Sequence, residues 1–548
     1  DPAPAVAARA AWSLGFLEQK TGEAALLAAL PDAQTPERKA AIVRALWRYP
    51  TPETAAAATP LASDPNPAVR AAALYALARR PQEASLPILT TCLSDPDAEA
   101  AALCARALGI LGKPESIPPL STAVEGRRAP VRINAMVALA AILEKPAAAE
   151  RPAALPARVL ALAGDANPNL AVPALALSRF FTDDPEVFRR LWAIASSGSG
   201  RRQQVALRSV MAALGEKATA LADAAIASAD PFLRGAAAEA LSFLPEAAAV
   251  PRRARLAADP QVVVRLKAVE GLKTPGEVRA NRPLVDGLLT DPDAGVRAAA
   301  LDSLGQLEDP QLLPVLREAV VKSYGESAPD VPIAAIGAAE AQASLPEARG
   351  IVEAAYRHPS VLVSRLARRS LVKKFQADPA TFPPRTYPGE TTAAHYAALL
   401  AEAEKPWSAR VETVRGVFRV RLAGPEAPMT VMNFVELARK GYFDGAPIHR
   451  VVPNFVVQDG DPTGTGNGGP GYEIRDEINA IPYGTGTVGM ALAGPDTGGS
   501  QWFVTHAPQP HLDGTYTVFG QVIQGMDVVN RIEQGDKILR VTVAVESP

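Results

Sequence analysis

At 548 residues the chain is too long for one compact core, so several domains or a repeat array are expected. Its 48% hydrophobic and 21% charged residues are ordinary for a globular protein, and a formal net charge of −2 gives no overall electrostatic reason to bind nucleic acid or an anionic membrane. No stretch approaches 18 consecutive apolar residues, which argues against a membrane-spanning helix.

Only 5% of residues are aromatic while alanine is abundant, a composition suited to closely packed helices with small interfaces. The first residues, DPAPAVAARA, lack an initiator Met, as expected of a processed or trimmed N-terminus. Cys92 and Cys104, in alanine-rich helical sequence, form no metal motif and read as small buried side chains.

One pattern recurs over the first two-thirds of the chain. DPNPAVRAAALYALARR starts at Asp64, DPDAEAAALCARALGIL at Asp95, DPFLRGAAAEALSFL at Asp230, DPQVVVRLKAVEGL at Asp259 and DPDAGVRAAALDSLGQL at Asp291. Looser copies lie near Asp1, Arg128, Asp165, Ser197 and His358. Self-similarity at about 30 residues marks a solenoid. Asp is expected as the helix N-cap with Pro at the first helical position, where a missing N–H costs nothing. Arg70, Arg265 and Arg297 each stand six residues after an Asp, so stacked copies are expected to form an Asp–Arg ladder. Two short helices per repeat cannot bury their faces alone, so neighbours must stack. The Asp-Pro opening and the Val-Arg pair resemble short HEAT-like repeats, about eleven or twelve over residues 1–375. That resemblance implies an all-α array with a concave face for a protein partner, the alternative being a spacer.

Four prolines and a glycine between Asp378 and Glu390 read as an extended connection, followed by a helix in TTAAHYAALLAEAEKPW. Residues 376–408 are therefore expected to link two units. Beyond them Phe418, Val420 and Leu422 alternate with Arg419 and Arg421 at the period of a strand, after a turn at Arg415–Gly416. PMTVMNFVELARKGYFDG reads as a helix ending at Gly441.

Three blocks then occur in order: APMTVMNFVELARKGYFDGAPIHRVVPNFVVQDGDP, VGMALAGPDTGGSQWFV and HLDGTYTVFGQVIQGMDVV. Together they resemble the cyclophilin family of peptidyl-prolyl cis-trans isomerases, over residues 409–548 taken as a domain. The resemblance implies a β-rich, eight-stranded antiparallel barrel capped by two helices. It implies a groove holding Arg450, Gln458 and His449 as catalytic positions. Phe455, Val456, Ala491, Leu492, Gln501, Phe503, His511, Leu512 and Tyr516 fall at its substrate-binding positions. Val456, Leu492, His511 and Tyr516 replace the Met, Asn, Trp and His of the best-known eukaryotic members. His511 in place of Trp implies weak binding of cyclosporin-type inhibitors.

These residue types suit the reaction. Twisting a prolyl amide destroys C–N resonance over a barrier of about 18–20 kcal/mol and leaves the nitrogen pyramidal with a lone pair. A fixed guanidinium aimed at that nitrogen favours the twisted state over the ground state. Arg450 is the residue for this task; Phe455, Val456, Phe503 and Leu512 supply an apolar slot, and Gln458 and Gln501 hold peptide backbone or Arg450. His449 carries a structural reading beside the catalytic one, and an arginine among valines can also be a paired core charge. TGTGNGGPG at 463–471 looks like a phosphate loop, but YEIRDEI follows it rather than a helix with Lys-Ser/Thr, so it is expected to edge the groove. No cofactor and no metal site are expected, since the five His are scattered.

The expectation is a bacterial-type proline isomerase acting on Xaa-Pro bonds of protein clients that the solenoid binds or presents, a protein-folding helper. The alternative is a scaffold whose barrel binds proline peptides without turnover. An exported or periplasmic location is favoured over a cytoplasmic one.

Overall fold

A computed structural model describes residues 4–17, 20–145, 152–326, 328–385 and 392–546. The Asp1–Pro2 opening and residues 386–391 of the expected link lie outside these. Up to Lys373 the chain is a succession of short paired helices, and one helix of each pair stacks on its counterpart in the next. That row runs α1 (Pro4–Phe16), α2 (Pro36–Ala45), α3 (Pro67–Arg79), α4 (Ala98–Leu111), α5 (Ala129–Leu143), α6 (Pro168–Ser178), α7 (Gly200–Leu214), α8 (Pro231–Ala240), α9 (Val262–Glu270), α10 (Ala294–Gly305), α11 (Asp330–Ala341) and α12 (Val361–Lys373). Alanine and glycine let the helices approach closely. Gly109 on α4 meets Ala138 on α5 so tightly that a Cβ would lie 2.8 Å from it, and Gly305 meets Ala338 at 2.9 Å in the same way.

The Asp-Pro motif works differently from the expectation. Of the five copies only Asp230 caps its helix with Pro in the first turn, as Asp184 does outside them. In the other copies the cap falls two residues later, at Asn66, Asp97, Gln261 and Asp293. The Asp instead accepts the N–H two residues on, as Asp95 does from Asp97 at 2.8 Å and Asp291 from Asp293 at 2.9 Å. Its other oxygen is thereby free to take the arginine of the preceding repeat. Arg70 reaches Asp95 at 2.8 Å, Arg234 reaches Asp259 at 2.7 Å and Arg265 reaches Asp291 at 2.7 Å. The same arginines donate to a carbonyl at the start of their own repeat, Arg70 to Asp64 O at 3.1 Å and Arg265 to Asp259 O at 3.0 Å. The ladder is present at these three junctions, where it joins a repeat to the next; Arg297, expected to extend it, pairs with Glu326 instead, because the following repeat offers no Asp at that place. Cys92 and Cys104 are buried as expected, but they are joined in a disulfide, their Cα atoms 6.1 Å apart. They face each other because the short helix Leu86–Cys92 packs directly on α4.

After helix α13 (Ala393–Ala403) come the strands β1 (Trp407–Thr413), β2 (Gly416–Leu422), β3 (Arg450–Val452), β4 (Val456–Asp459), β5 (Thr487–Met490), β6 (Trp502–Thr505), β7 (Val518–Gln524) and β8 (Ile538–Val545). They form one antiparallel sheet in the order β3-β4-β6-β5-β7-β2-β1-β8. The sheet curls until the residues before its edge strands meet. Pro447 bridges Lys537, and Ile448 and Ile538 donate to Asp536 O and Ala446 O at 2.7 and 3.0 Å. Helix α14 (Pro428–Arg439) and the single turn Met526–Val529 flank it. Phe434 from α14 fills the centre against Phe443, Trp502 and Phe519.

The barrel touches the helical row from end to end. Gly514 turns at φ +67°, and its missing Cβ lets the Phe16 ring approach so that Cζ would lie 2.4 Å from a side chain there. At the far end Arg365 of α12 pairs with Asp496 at 2.6 Å. Helices packed 8–10 Å apart make this row roughly 100 Å long. A domain of this size has a radius of gyration of only about 14 Å. One barrel can meet both ends only if the row curves around it. The face expected to receive a protein partner is therefore occupied by the chain's own barrel.

Candidate active site

Three of the singled-out residues form a line across the sheet. Arg450 on β3 lies opposite Gln458 on β4, and Gln458 lies opposite Phe503 on β6. Direct cross-strand partners project to the same face. Arg450 Nη1 donates to Gln458 Oε1 at 3.0 Å, and Gln458 Nε2 donates to Gln501 Oε1 at 3.0 Å. Gln501 Nε2 in turn donates to the carbonyls of Gly466 and Gly468 at 2.8 and 2.9 Å. This relay fixes the guanidinium, leaves most of its N–H donors uncommitted, and ties the glycine-rich loop to the groove. Asp461 holds that loop from below, accepting from the N–H groups of Thr463, Thr465 and Gly466. Burial lowers the Arg450 pKa from its usual value, but arginine starts so high that it stays charged at neutral pH.

Beside this line is an apolar cluster separate from the barrel centre. Val456, Phe503 and Leu512 are buried there with Tyr483 and Val518, and Phe455, Ala491 and Tyr516 pack on them half-buried. The Arg450 guanidinium stands 5.4 Å from the Phe455 ring centroid. Phe455 also lies 5.3 Å from His511, and Phe503 meets Tyr516 edge-on at 6.2 Å. Leu492 departs from the group: it packs on the barrel centre, although it lines a cavity with Gln458 and Gln501. His449 is buried under the loop near Gly466, and desolvation takes its pKa down to about 4 against the pull of Asp461. It is a neutral imidazole at physiological pH, with no hydrogen bond at Nδ1.

Two barrel residues escaped the motif reading. Tyr483 stacks on Phe503 at 5.5 Å and donates to Thr517 O at 3.0 Å. Gly489, opposite Phe503 in the sheet, makes room for both rings; a Cβ would fall 2.3 Å from the Tyr483 hydroxyl and 2.6 Å from Phe503 Cζ. A lone aromatic amid IPYGTGTVG was the only sequence signal for Tyr483.

The helical row grips the groove at two places. At the β3–β4 turn, Asn454 adopts φ +61°, donates its N–H to Asn169 Oδ1 at 3.0 Å and its side-chain amide to Asn134 Oδ1 at 3.0 Å. At the segment bearing His511 and Leu512, Arg106 donates to Gln509 Oε1 at 2.9 Å and to His511 Nδ1 at 3.2 Å. Asp513 accepts from the Tyr75 hydroxyl and lies 3.5 Å from Arg44. Its other oxygen accepts from the Tyr483 N–H at 2.7 Å, which links the array to the ring beneath Phe503.

Comparison with known proteins agrees with this geometry. Residues 408–546 match the family model "Cyclophilin type peptidyl-prolyl cis-trans isomerase/CLD", and residues 23–101, 55–140, 218–304 and 251–328 match the model for HEAT repeats. The chain is 48% identical over 139 residues to a peptidyl-prolyl cis-trans isomerase of Synechococcus elongatus, covering 25% of this chain and 96% of that protein. It is 51% identical over 122 residues to peptidyl-prolyl cis-trans isomerase B of Bacillus subtilis, covering 22% of this chain and 85% of that one. Among solved structures, a Cryptosporidium parvum cyclophilin-type isomerase aligns at 31% identity and a TM-score of 0.25, over 26% of this chain and 99% of its own. With its barrel matching nearly the whole of a stand-alone relative, the chain belongs to the cyclophilin-type peptidyl-prolyl cis-trans isomerases, here joined to an array of HEAT repeats.

Proposed function

We propose that the barrel isomerises Xaa-Pro bonds, with Arg450 as the group that acts on the prolyl nitrogen. The observation that carries this is the relay Arg450–Gln458–Gln501, which holds a charged donor beside the Phe455 ring and the apolar cluster it packs on. The proline ring sits on Phe455, Val456, Phe503 and Leu512. As the amide twists, the nitrogen gains a lone pair, and an Arg450 N–H donates to it. That bond is stronger in the twisted state, so it lowers the barrier rather than only binding substrate. Gln458 orients Arg450, while Gln501 and the Ala491 backbone border the peptide. No bond is made or broken and no proton moves, so the neutral His449 has a structural task. Tyr516 and His511 shape the slot's rim, and Leu492 supports the strand behind it.

We assign residues 1–375 to the array, 376–408 to the connection and 409–548 to the isomerase. The array presents protein clients to the groove, raising their local concentration there, in the manner of a folding helper. Because the barrel fills the curved face, the clients reach the array at its ends, its outer helices or the groove it borders. A disulfide between Cys92 and Cys104 fits an oxidising compartment such as the periplasm.

Isomerisation of a short Xaa-Pro peptide by the full chain and by Arg450→Ala tests the reading. Loss of one charge-assisted hydrogen bond, about 1.5–3 kcal/mol, corresponds to a fall in kcat/KM of roughly 10- to 150-fold. Equal rates in the two proteins would remove Arg450 from the chemistry.

A further inference from the structure

We propose that the helical array supplies the second wall of the substrate groove, and that Arg201 on that wall selects an acidic side chain close to the proline. This rests on the isomerase reading above and extends it to the sequence around the bond.

A cleft of about 440 Å³ lies between β3 and helices α7, α8 and α9. Its barrel side carries Arg450, Gln458 and the 464–467 loop, and its array side carries Arg201, Arg208, Phe232, Glu239, Lys267 and Glu270. On the other flank of Gln458 a second cleft of about 370 Å³ runs between Gln501, Ala491 and the array residues Asp330, Ile333 and Leu362. Gln458, Gly466 and Asn467 border both. Asn467 also presses against α10, where a Cβ on Gly295 would lie 1.9 Å from its Nδ2. A peptide whose proline occupies the slot therefore runs between barrel and array. At about 3.3 Å per extended residue, its neighbours enter the cleft within a few positions.

The charges there do not cancel. Arg208 pairs with Glu239 at 2.8 Å, and Lys267 pairs with Glu239 and Glu270 at 3.4 and 2.6 Å. Those two cations and two anions balance. Among the described residues Arg201 forms no salt bridge: Nη1 donates to Gln204 at 3.0 Å, and its buried Nε has no partner. With Arg450 it leaves two guanidinium groups facing one cleft. A carboxylate on the client would meet charge-assisted donors there, whereas a lysine would meet repulsion.

The test compares hexapeptides that differ only in Glu, Gln or Lys at the positions flanking Xaa-Pro, with exchange followed directly by NMR on the full chain. Wild type is expected to show a kcat/KM for the Glu peptide about threefold or more above Gln, the preference shrinking in high salt. In Arg201→Gln the Glu-to-Gln ratio falls to one, and in Arg201→Glu the Lys peptide becomes the better substrate. Thermal unfolding at the wild-type temperature establishes that each variant folds. A wild-type ratio of one, or a ratio unchanged in Arg201→Gln, overturns the proposal. Failure to catalyse any of the peptides would instead strike the isomerase reading.

Discussion

Arg106, in the fourth helix of the repeat row, donates from Nη2 to His511 Nδ1 at 3.2 Å, joining residues 405 positions apart in the sequence. Arginine has only donors, so Nδ1 is the acceptor and the imidazole carries its proton on Nε2. Partial removal from water, with the positive charges of Arg106 and Arg79 beside it, takes the His511 pKa down to about 4. Replacing Arg106 with Ala is expected to raise that pKa and to raise KM for a proline peptide more than it lowers kcat. NMR titration of His511 alongside steady-state kinetics reads both. An unmoved pKa would show that Arg106 does not act on the ring.

The same protonation states set the pH dependence. His449 and His511 titrate near 4, so kcat/KM is expected to show no histidine inflection near 6.5; the group beside the relay that titrates above neutrality is Asp459, raised by burial to about 8. Stability behaves differently. Unfolded histidines bind protons near pH 6.5, whereas folded His449, His506 and His511 do so only near 4. Between these values the unfolded state binds the protons of these three imidazoles, so their contribution to stability is lost as pH drops from about 6.5 to 4, while Asp459, raised by burial to about 8, contributes with the opposite sign. Chemical denaturation of wild type and of His511→Gln at a series of pH values isolates one imidazole's share; a pH slope unchanged in the variant would contradict it.

The Asp–Arg ladder makes a separate prediction for the array. Burial pushes the Asp291 carboxyl up, but the Arg265 hydrogen bonds and the Asp293 N–H outweigh it, leaving the pKa below the usual value. Its stabilisation is complete above about pH 4 and is lost as pH falls through the lowered folded value. Asp291→Asn should cost about 1.5–3 kcal/mol at pH 7, because it leaves the mostly buried Arg265 without its carboxylate. Urea unfolding monitored by circular dichroism measures this, and a cost below about 0.5 kcal/mol would make the ladder ornamental.

Gly489 predicts a packing effect inside the barrel. Alanine there forces Tyr483 and Phe503 apart, and overpacking of this kind costs about 1–3 kcal/mol. The displaced Phe503 should raise KM for proline peptides. Wild-type kinetics and stability in Gly489→Ala would show that the slot has slack.

The legible parts of this molecule were those written as periodicity or as contiguous motifs. The repeat helices follow from apolar spacing, and two rungs of the Asp–Arg ladder follow from Arg70 and Arg265 standing six residues after an aspartate, whereas the Arg234 rung breaks that spacing and Arg297 pairs with Glu326. Arg450, Gln458 and Phe455 share one short stretch, so a motif could carry them together. The Asp-Pro capping expectation failed because the carboxylate serves a neighbouring repeat, which a single repeat cannot reveal. The grip of Asn134 and Asn169 on Asn454, and of Arg106 and Tyr75 on residues 509–513, has no sequence signature. Those pairs are 285 or more positions apart, and ordinary polar residues make them. The disulfide was missed for a similar reason, since twelve residues of helical sequence do not show which helices pack.

The molecule is a proline isomerase whose own helical array borders its groove. Residues 408–546 match the isomerase family model, 139 residues of the chain cover nearly the whole of one relative, and the barrel holds its own core, so a 405–548 fragment can be compared with the full chain. The decisive measurement is kcat/KM for Glu- and Gln-flanked Xaa-Pro peptides, with the full chain and the barrel alone, each with and without Arg450→Ala. Both parent proteins are expected to catalyse exchange, both Arg450→Ala forms to lose at least tenfold, and only the full chain to prefer Glu. Catalysis that survives Arg450→Ala, or a barrel that prefers Glu as the full chain does, would contradict this.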